Sequence, residues 1–211
     1  MFKTKMNSAL LLALALAAPA LPAQEIAPNV LLQSTTLEVI AAMKQERNLH
    51  AGQPSQVASL VETKVLPLFD FPRMTQIAVA RNWGSATPEQ QAALTEEFKT
   101  LLVRTYSAAL SSYRDQVIEF RSMRSAPADI EVTVKTVVKQ SGTEPIAMNY
   151  DMVKTAAGWK VYDITVAGIS LVTTYRDSFS ASVRDGGVDG LIKALADKNR
   201  QLGARSAPPK S

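Results

Sequence analysis

Few residues of this chain could do chemistry, and their settings favour structural work. Asp163 interrupts an apolar run, Trp159-Lys-Val-Tyr-Asp-Ile-Thr-Val166, where period-two alternation puts it on one face with Trp159 and Val161. A carboxylate among apolar groups can act as a general acid or base. It can equally be a cap or one half of an ion pair, with Arg176 as partner, because buried charges are paired; that is the expectation here. The single histidine, His50, falls beside Gly52 in an expected loop, and the chain has no cysteine. Cys–His catalysis and thiolate metal ligation are thereby excluded, and a Ser–His–Asp triad would rest on a loop residue. Asp129 and Glu131 lie close together but at the start of a strand whose outward face is simply polar. No G-x-x-x-x-G-K-[ST] phosphate loop occurs. No catalytic residue, metal site or cofactor is assigned, and the chain is read as a non-enzyme.

The elements that position these residues divide at mid-chain. The first half reads as helices. Ile26 to about Leu49 carries Val30, Leu37, Ile40 and Ala41 on one side. A second helix from near Pro54 to Pro67 uses Val57, Leu60, Val61 and Val65. Asp70 caps a short third, with Pro72 in its first turn, where a missing N–H costs little. Thr87-Pro-Glu-Gln90 is a capping box that opens a helix to about Ser112, with Leu94, Phe98, Leu101 and Thr105 on one face.

The second half reads as strands over Val117–Met123, Ile130–Gln140, a run carrying Ile146, Met148, Tyr150 and Met152, and Trp159–Val166, joined by short turns. In the last strand Tyr162, Ile164 and Val166 face away from Trp159 and Val161, so both faces are apolar and the strand is covered on both. Gly168 breaks it, and Ile169, Val172, Tyr175, Phe179 and Val183 follow at helical spacing. A final helix spans Val188 to Leu202, with Leu191, Ile192 and Leu195 inward. The expected fold is α+β, helices packed on one face of a curved four-stranded antiparallel sheet.

The ends carry their own signals. Lys3 and Lys5, the apolar run Ala9–Ala18 and the small residues after it read as a secretory leader over residues 1–23, cut after Ala23 or Ala20. The apolar run is shorter than the roughly 20 residues that span a bilayer. The leader holds two lysines and no acid, so its removal takes the formal charge from +4 to +2, and no basic platform points to nucleic acid. One domain over residues 24–202 and a disordered tail over residues 203–211 complete the organisation.

The order of residues in Gly158–Phe179 closely resembles the C-terminal signature of the MlaC family of periplasmic phospholipid carriers, also described as toluene-tolerance or ABC-transporter auxiliary components. Phe69-Asp-Phe-Pro-Arg-Met74, Ala80-Arg-Asn-Trp-Gly84, and Thr87-Pro-Glu-Gln-Gln91 with Phe98, Leu101, Leu102, Thr105 and Tyr106 resemble the same family. The likeness runs from about Glu25 to Leu202. It implies export to the periplasm, an apolar pocket between sheet and helices, and bound phospholipid as cargo. It also implies two partners, an inner-membrane ABC transporter complex with a lipid-binding ring and an outer-membrane lipoprotein–porin assembly.

Periodicity alone reads the apolar stripes as either a filled core or a lined hollow. With the resemblance, the expected lipid-binding residues are Phe98, Leu101, Leu102, Tyr106, Val132, Val134, Met148, Tyr150, Met152, Val161, Ile169, Val172, Tyr175 and Phe179, since methionine and small β-branched groups suit a floppy ligand. Arg114, Arg121 and Arg124 either attract lipid phosphate or form an ordinary solvated face. Two other readings stand beside the carrier: a small enzyme of the NTF2-like type using Asp163, and a solid-cored structural adaptor.

Overall fold

Helix α1, Pro28–Asn48, buries Leu32 and Val39 and leaves Val30 and Leu37 half exposed. The inward stripe expected through Val30 and Leu37 is therefore on the wrong side. Both pairs are seven residues apart, so the period fits either, and only the tertiary partner chooses between two parallel apolar stripes. The computed structural model describes residues 26–48, 59–111, 116–124, 126 and 128–206. Pro54, Val57, His50 and Arg114 lie outside the described residues.

From Ser59 the chain is helical but irregular, with π turns over Val61–Val65 and a 3-10 turn over Leu66–Leu68. It then runs extended, and the Asp70 amide donates to the Val161 carbonyl at 2.8 Å. Asp70 also caps helix α2, Phe71–Val79, accepting from the Arg73 amide at 3.0 Å, with Pro72 in the first turn. Helix α3, Pro88–Ser111, opens on the expected box: the Gln90 amide donates to Thr87 Oγ1 at 3.2 Å, and Gln90 Oε1 accepts from the Thr87 amide at 3.0 Å. Its buried face is Leu94, Phe98, Leu101 and Leu102, while Thr105 is exposed.

The strands are β1 Val117–Phe120, β2 Glu131–Lys139, β3 Ile146–Thr155, β4 Gly158–Val166 and β5 Ile169–Ser170, an antiparallel meander in that order. Five strands form where four were expected. Ala167 and Gly168 both have positive φ, 49° and 85°, the backbone of a two-residue hairpin turn. Gly168 thus reverses the strand instead of ending it. Ile169 pairs with Val166, outside the helical stripe assigned to it, and is 65% exposed. A 3-10 turn over Thr173–Tyr175 leads into helix α4, Arg176–Ser206, broken at Gly186–Gly187. That break yields the two closing segments expected from the pattern.

β4 carries a bulge. Asp151 pairs with Asp163 and Met152 with Val161, so Tyr162 has no opposite number and the side-chain alternation slips by one. Trp159 and Val161 consequently share their face with Ile164, while Asp163 turns to the side of Tyr162. The expected grouping of Asp163 with Trp159 and Val161, and of Ile164 with Tyr162, is corrected by this single inserted residue.

Two apolar clusters result. One lies among α2, α3 and α4 and contains Met74, Val79, Leu94, Phe98, Phe179 and Leu191. The other joins α1 to the sheet through Leu32, Val134, Met152, Trp159 and Val161. Phe69 touches both. The fold is α+β with one open sheet.

Candidate functional site

Each carboxylate that could have done chemistry holds structure together. Asp163, buried, accepts from the Ser170 hydroxyl at 2.5 Å, its neighbour's amide (Ile164) at 2.8 Å and the Val172 amide at 3.3 Å. It closes the β4–β5 hairpin and the turn beyond. Arg176 is not its partner, for its Nε donates to the Ile77 carbonyl at 2.9 Å. Glu131 pairs with Arg73 at 2.7 Å and accepts from the Tyr162 hydroxyl at 3.3 Å. The Arg73 hydrogen bond, the largest cause, holds the Glu131 carboxyl below the ordinary glutamate range. Asp129 accepts from the Ala126 amide at 2.7 Å, a local turn. Among the described residues no His/Cys/Asp/Glu group has metal-site geometry.

Eleven of the fourteen apolar candidates divide between the clusters, and Tyr106, Met148 and Ile169 belong to neither. Phe98, Leu101, Leu102, Val172, Tyr175 and Phe179 belong to the helical one. There the rings of Phe98, Tyr175 and Phe179 lie 5.1–5.5 Å apart, centroid to centroid, two of the three contacts edge-on, a packed aromatic knot. Burial, then the neighbouring Tyr106, pushes the Tyr175 hydroxyl up to about 12. Tyr106 itself sits at the rim, 36% exposed.

Val132, Val134, Tyr150, Met152 and Val161 belong to the sheet cluster. Strand register arranges them in rows on one face: Val132–Met152–Val161, then Val134–Tyr150–Ile164, then Thr136–Met148–Val166–Ile169. Met148 and Ile169 therefore continue the same face toward one end of the sheet. The first two rows meet Leu31 and Leu32 of α1, with Phe120 and Met123 beside them. Burial raises the Tyr150 hydroxyl above its ordinary value.

Leu31, Leu32, Phe120, Met123 and Ile164 were not expected on this face, whereas Trp159 was set beside Val161 by the alternation but not counted among the lipid-binding candidates. Ile164 could not be found without the bulge, and Leu31 and Leu32 carried the competing stripe of α1.

At the opposite end of the face, where the β3–β4 hairpin meets the start of α1, lies a cleft of about 490 Å³. Ile26, Leu31, Leu68 and Trp159 form its apolar walls, and Lys154 and Lys160 line it too. Of the three arginines proposed for phosphate, Arg121 and Arg124 are exposed.

The family model described as "MlaC protein" matches residues 33–197. The intermembrane phospholipid transport system binding protein MlaC of Haemophilus influenzae is 21% identical over 180 residues, 84% of each chain. The toluene tolerance protein ttg2D of Pseudomonas putida is 26% identical over 182 residues, 85% of this chain and 83% of that one. The phospholipid-binding protein of Ralstonia solanacearum, solved in complex with a phospholipid, superposes with a TM-score of 0.73 at 39% identity. That alignment covers 83% of this chain and 98% of the Ralstonia one.

Proposed function

The chain belongs to the MlaC family, and from that membership we propose that it is a phospholipid-binding transport protein, the periplasmic carrier that shuttles phospholipid between the outer and inner membranes. The observation that carries this reading is the Ralstonia relative, 39% identical over nearly its whole length and holding a phospholipid. The sheet face supports it. Val134, Met152 and Val161 are fully buried, yet Val132, Tyr150, Ile164, Phe120 and Met123 around them are only partly covered. Apolar groups left partly open on one continuous face suit acyl chains. Val132, Val134, Met148, Tyr150, Met152 and Val161 are the lining; Phe98, Tyr175 and Phe179 form the solid wall behind it.

The partners are an inner-membrane ABC transporter complex with its lipid-binding ring and an outer-membrane lipoprotein–porin assembly. The leader over residues 1–23 directs export, and residues 24–202 form the carrier domain. The protein acts by burial and has no chemical step, so its turnover belongs to those partners. Organic extraction of gently purified protein, followed by lipid mass spectrometry, tests the reading: phospholipid should be recovered in stoichiometric amount. Recovery of none would count decisively against it.

A further inference from the structure

The sheet face assigned to the acyl chains is apolar except at one place. From the row Val132–Met152–Val161 to the row Ile118–Val138–Ile146, only two of the described strand residues bring an oxygen or nitrogen side-chain atom to this face, Tyr150 and Thr136. Tyr150 stands opposite Val134, and Thr136 is the next residue of β2 on the same face. Diagonal partners of this kind lie about 7–8 Å apart, within reach of an aromatic side chain. Thr136 is fully buried, and its hydroxyl gives its one hydrogen to the Met148 carbonyl at 3.1 Å. Burial raises the Tyr150 hydroxyl above its ordinary value, and a hydrogen bond with Thr136 opposes the rise. With its hydrogen already given, Thr136 can only accept that bond, so the phenol donates it.

Resting on the carrier reading, we infer that the Tyr150 hydroxyl recognises the lipid's ester linkage, turning its hydrogen from Thr136 to the carbonyl of an acyl ester. Position favours this. Toward α1 the face is fully buried at Val134, Met152 and Val161, while away from it Met148 and Val166 are half-buried and Ile146 and Ile169 are exposed. The ester is the first polar group of a phospholipid beyond its chains, and the hydroxyl pair is the first polar group of the face beyond its buried rows. Hydrogen bonding favours it too. An ester carbonyl only accepts, and the phenol is the donor of the pair that can be redirected. When it turns, Thr136 keeps its bond to Met148 and gives up only an incoming one, so no buried donor is left unpaired. A hydroxyl among chain-lining groups costs free energy unless it is bonded, and a phenylalanine would line the chains without that cost.

Paired lipids test this, because the ratio of two affinities on one protein is insensitive to that protein's stability. Diester and diether phosphatidylglycerols of equal chain length are loaded from vesicles into lipid-stripped protein, and retention of each is read by mass spectrometry. Wild type should favour the diester about fivefold, the equivalent of one neutral hydrogen bond of about 1 kcal/mol. Tyr150→Phe should bind the diester no better than the diether. Thr136→Val, which removes the competing acceptor, should raise the preference. Infrared spectra of a carbonyl-labelled diester bound to wild type should show an ester stretch lowered by hydrogen bonding, and this spectrum decides the matter if Tyr150→Phe does not fold. An unshifted ester band, equal retention of the two lipids by wild type, or a preference that survives Tyr150→Phe overturns the assignment and leaves the carrier reading intact. A preference lost in Thr136→Val moves the contact to Thr136 and overturns it as well. Wild type that takes up neither lipid removes the carrier reading, and the ester assignment with it.

Discussion

The guanidinium carbon of Arg73 lies 4.0 Å from the centre of the Tyr162 ring. Tyr162 is the extra residue of the β4 bulge, so the first turn of α2 clamps the place where the strand's alternation slips. The same guanidinium bonds Glu131 on β2, tying a helix to two strands on the face away from Val134. A bulge leaves its ladder locally unpaired, and this clamp supplies side-chain contacts in place of the missing pairing.

The clamp should titrate. Glu131 is held below the ordinary glutamate range by Arg73, so its stabilisation is complete above the unfolded pKa and is lost as pH falls through the lowered folded value. The Glu131 side chain is 48% exposed, which limits the effect to less than about 1 kcal/mol. Urea unfolding of wild type and Glu131→Gln should differ at neutral pH and converge in acid. A difference that stays constant across that range would show that Glu131 acts through packing alone.

Asp163→Ala should cost about 2–3 kcal/mol, because the buried Val172 amide and the Ser170 hydroxyl lose a charged acceptor. Lipid content of the folded fraction should be normal. A stable variant that has lost its lipid would instead place Asp163 in the binding site.

Most of the fold was legible because its signals are local. The Thr87–Gln90 box and the Asp70 cap formed as written, and β2, Glu131–Lys139, lies within the strand expected over Ile130–Gln140. What was illegible depends on partners distant in sequence. The bulge at Tyr162 is set by pairing with β3, and nothing in Trp159–Val166 announces an inserted residue. Ala167 with a positive φ is uncommon for a residue with a Cβ, so the β4–β5 hairpin read as a break. The apolar candidates shared a pattern but not a place, since helical periodicity marks a buried face without saying what it is buried against.

Two substitutions separate wall from lining. Phe98→Ala removes a fully buried ring from the aromatic knot and should cost about 3–5 kcal/mol, with lipid still present in what remains folded. Val134→Trp adds bulk to the sheet face and should displace phospholipid at a stability cost of no more than about 1–3 kcal/mol. Denaturant melts paired with lipid mass spectrometry read both effects. A Val134→Trp protein that is strongly destabilised yet fully loaded would put Val134 in a solid core and move the lining elsewhere.

Transfer between membranes should be slow for the protein alone. Burial of one CH₂ is worth about 0.8 kcal/mol, so two long acyl chains contribute on the order of tens of kcal/mol before opposing terms, and escape through water is correspondingly rare. The sequence contains no phosphate loop of the G-x-x-x-x-G-K-[ST] type with which to couple ATP to release. Release therefore needs a partner that opens the face between α1 and the sheet or offers an equally apolar path. In a two-vesicle assay with labelled phospholipid, the purified protein should equilibrate lipid very slowly, and the purified ABC complex reconstituted in one vesicle population should accelerate exchange many-fold. Rapid exchange by the protein alone would mean that α1 lifts from Val134 and Met152 unaided, and partner-dependent release would have to be abandoned.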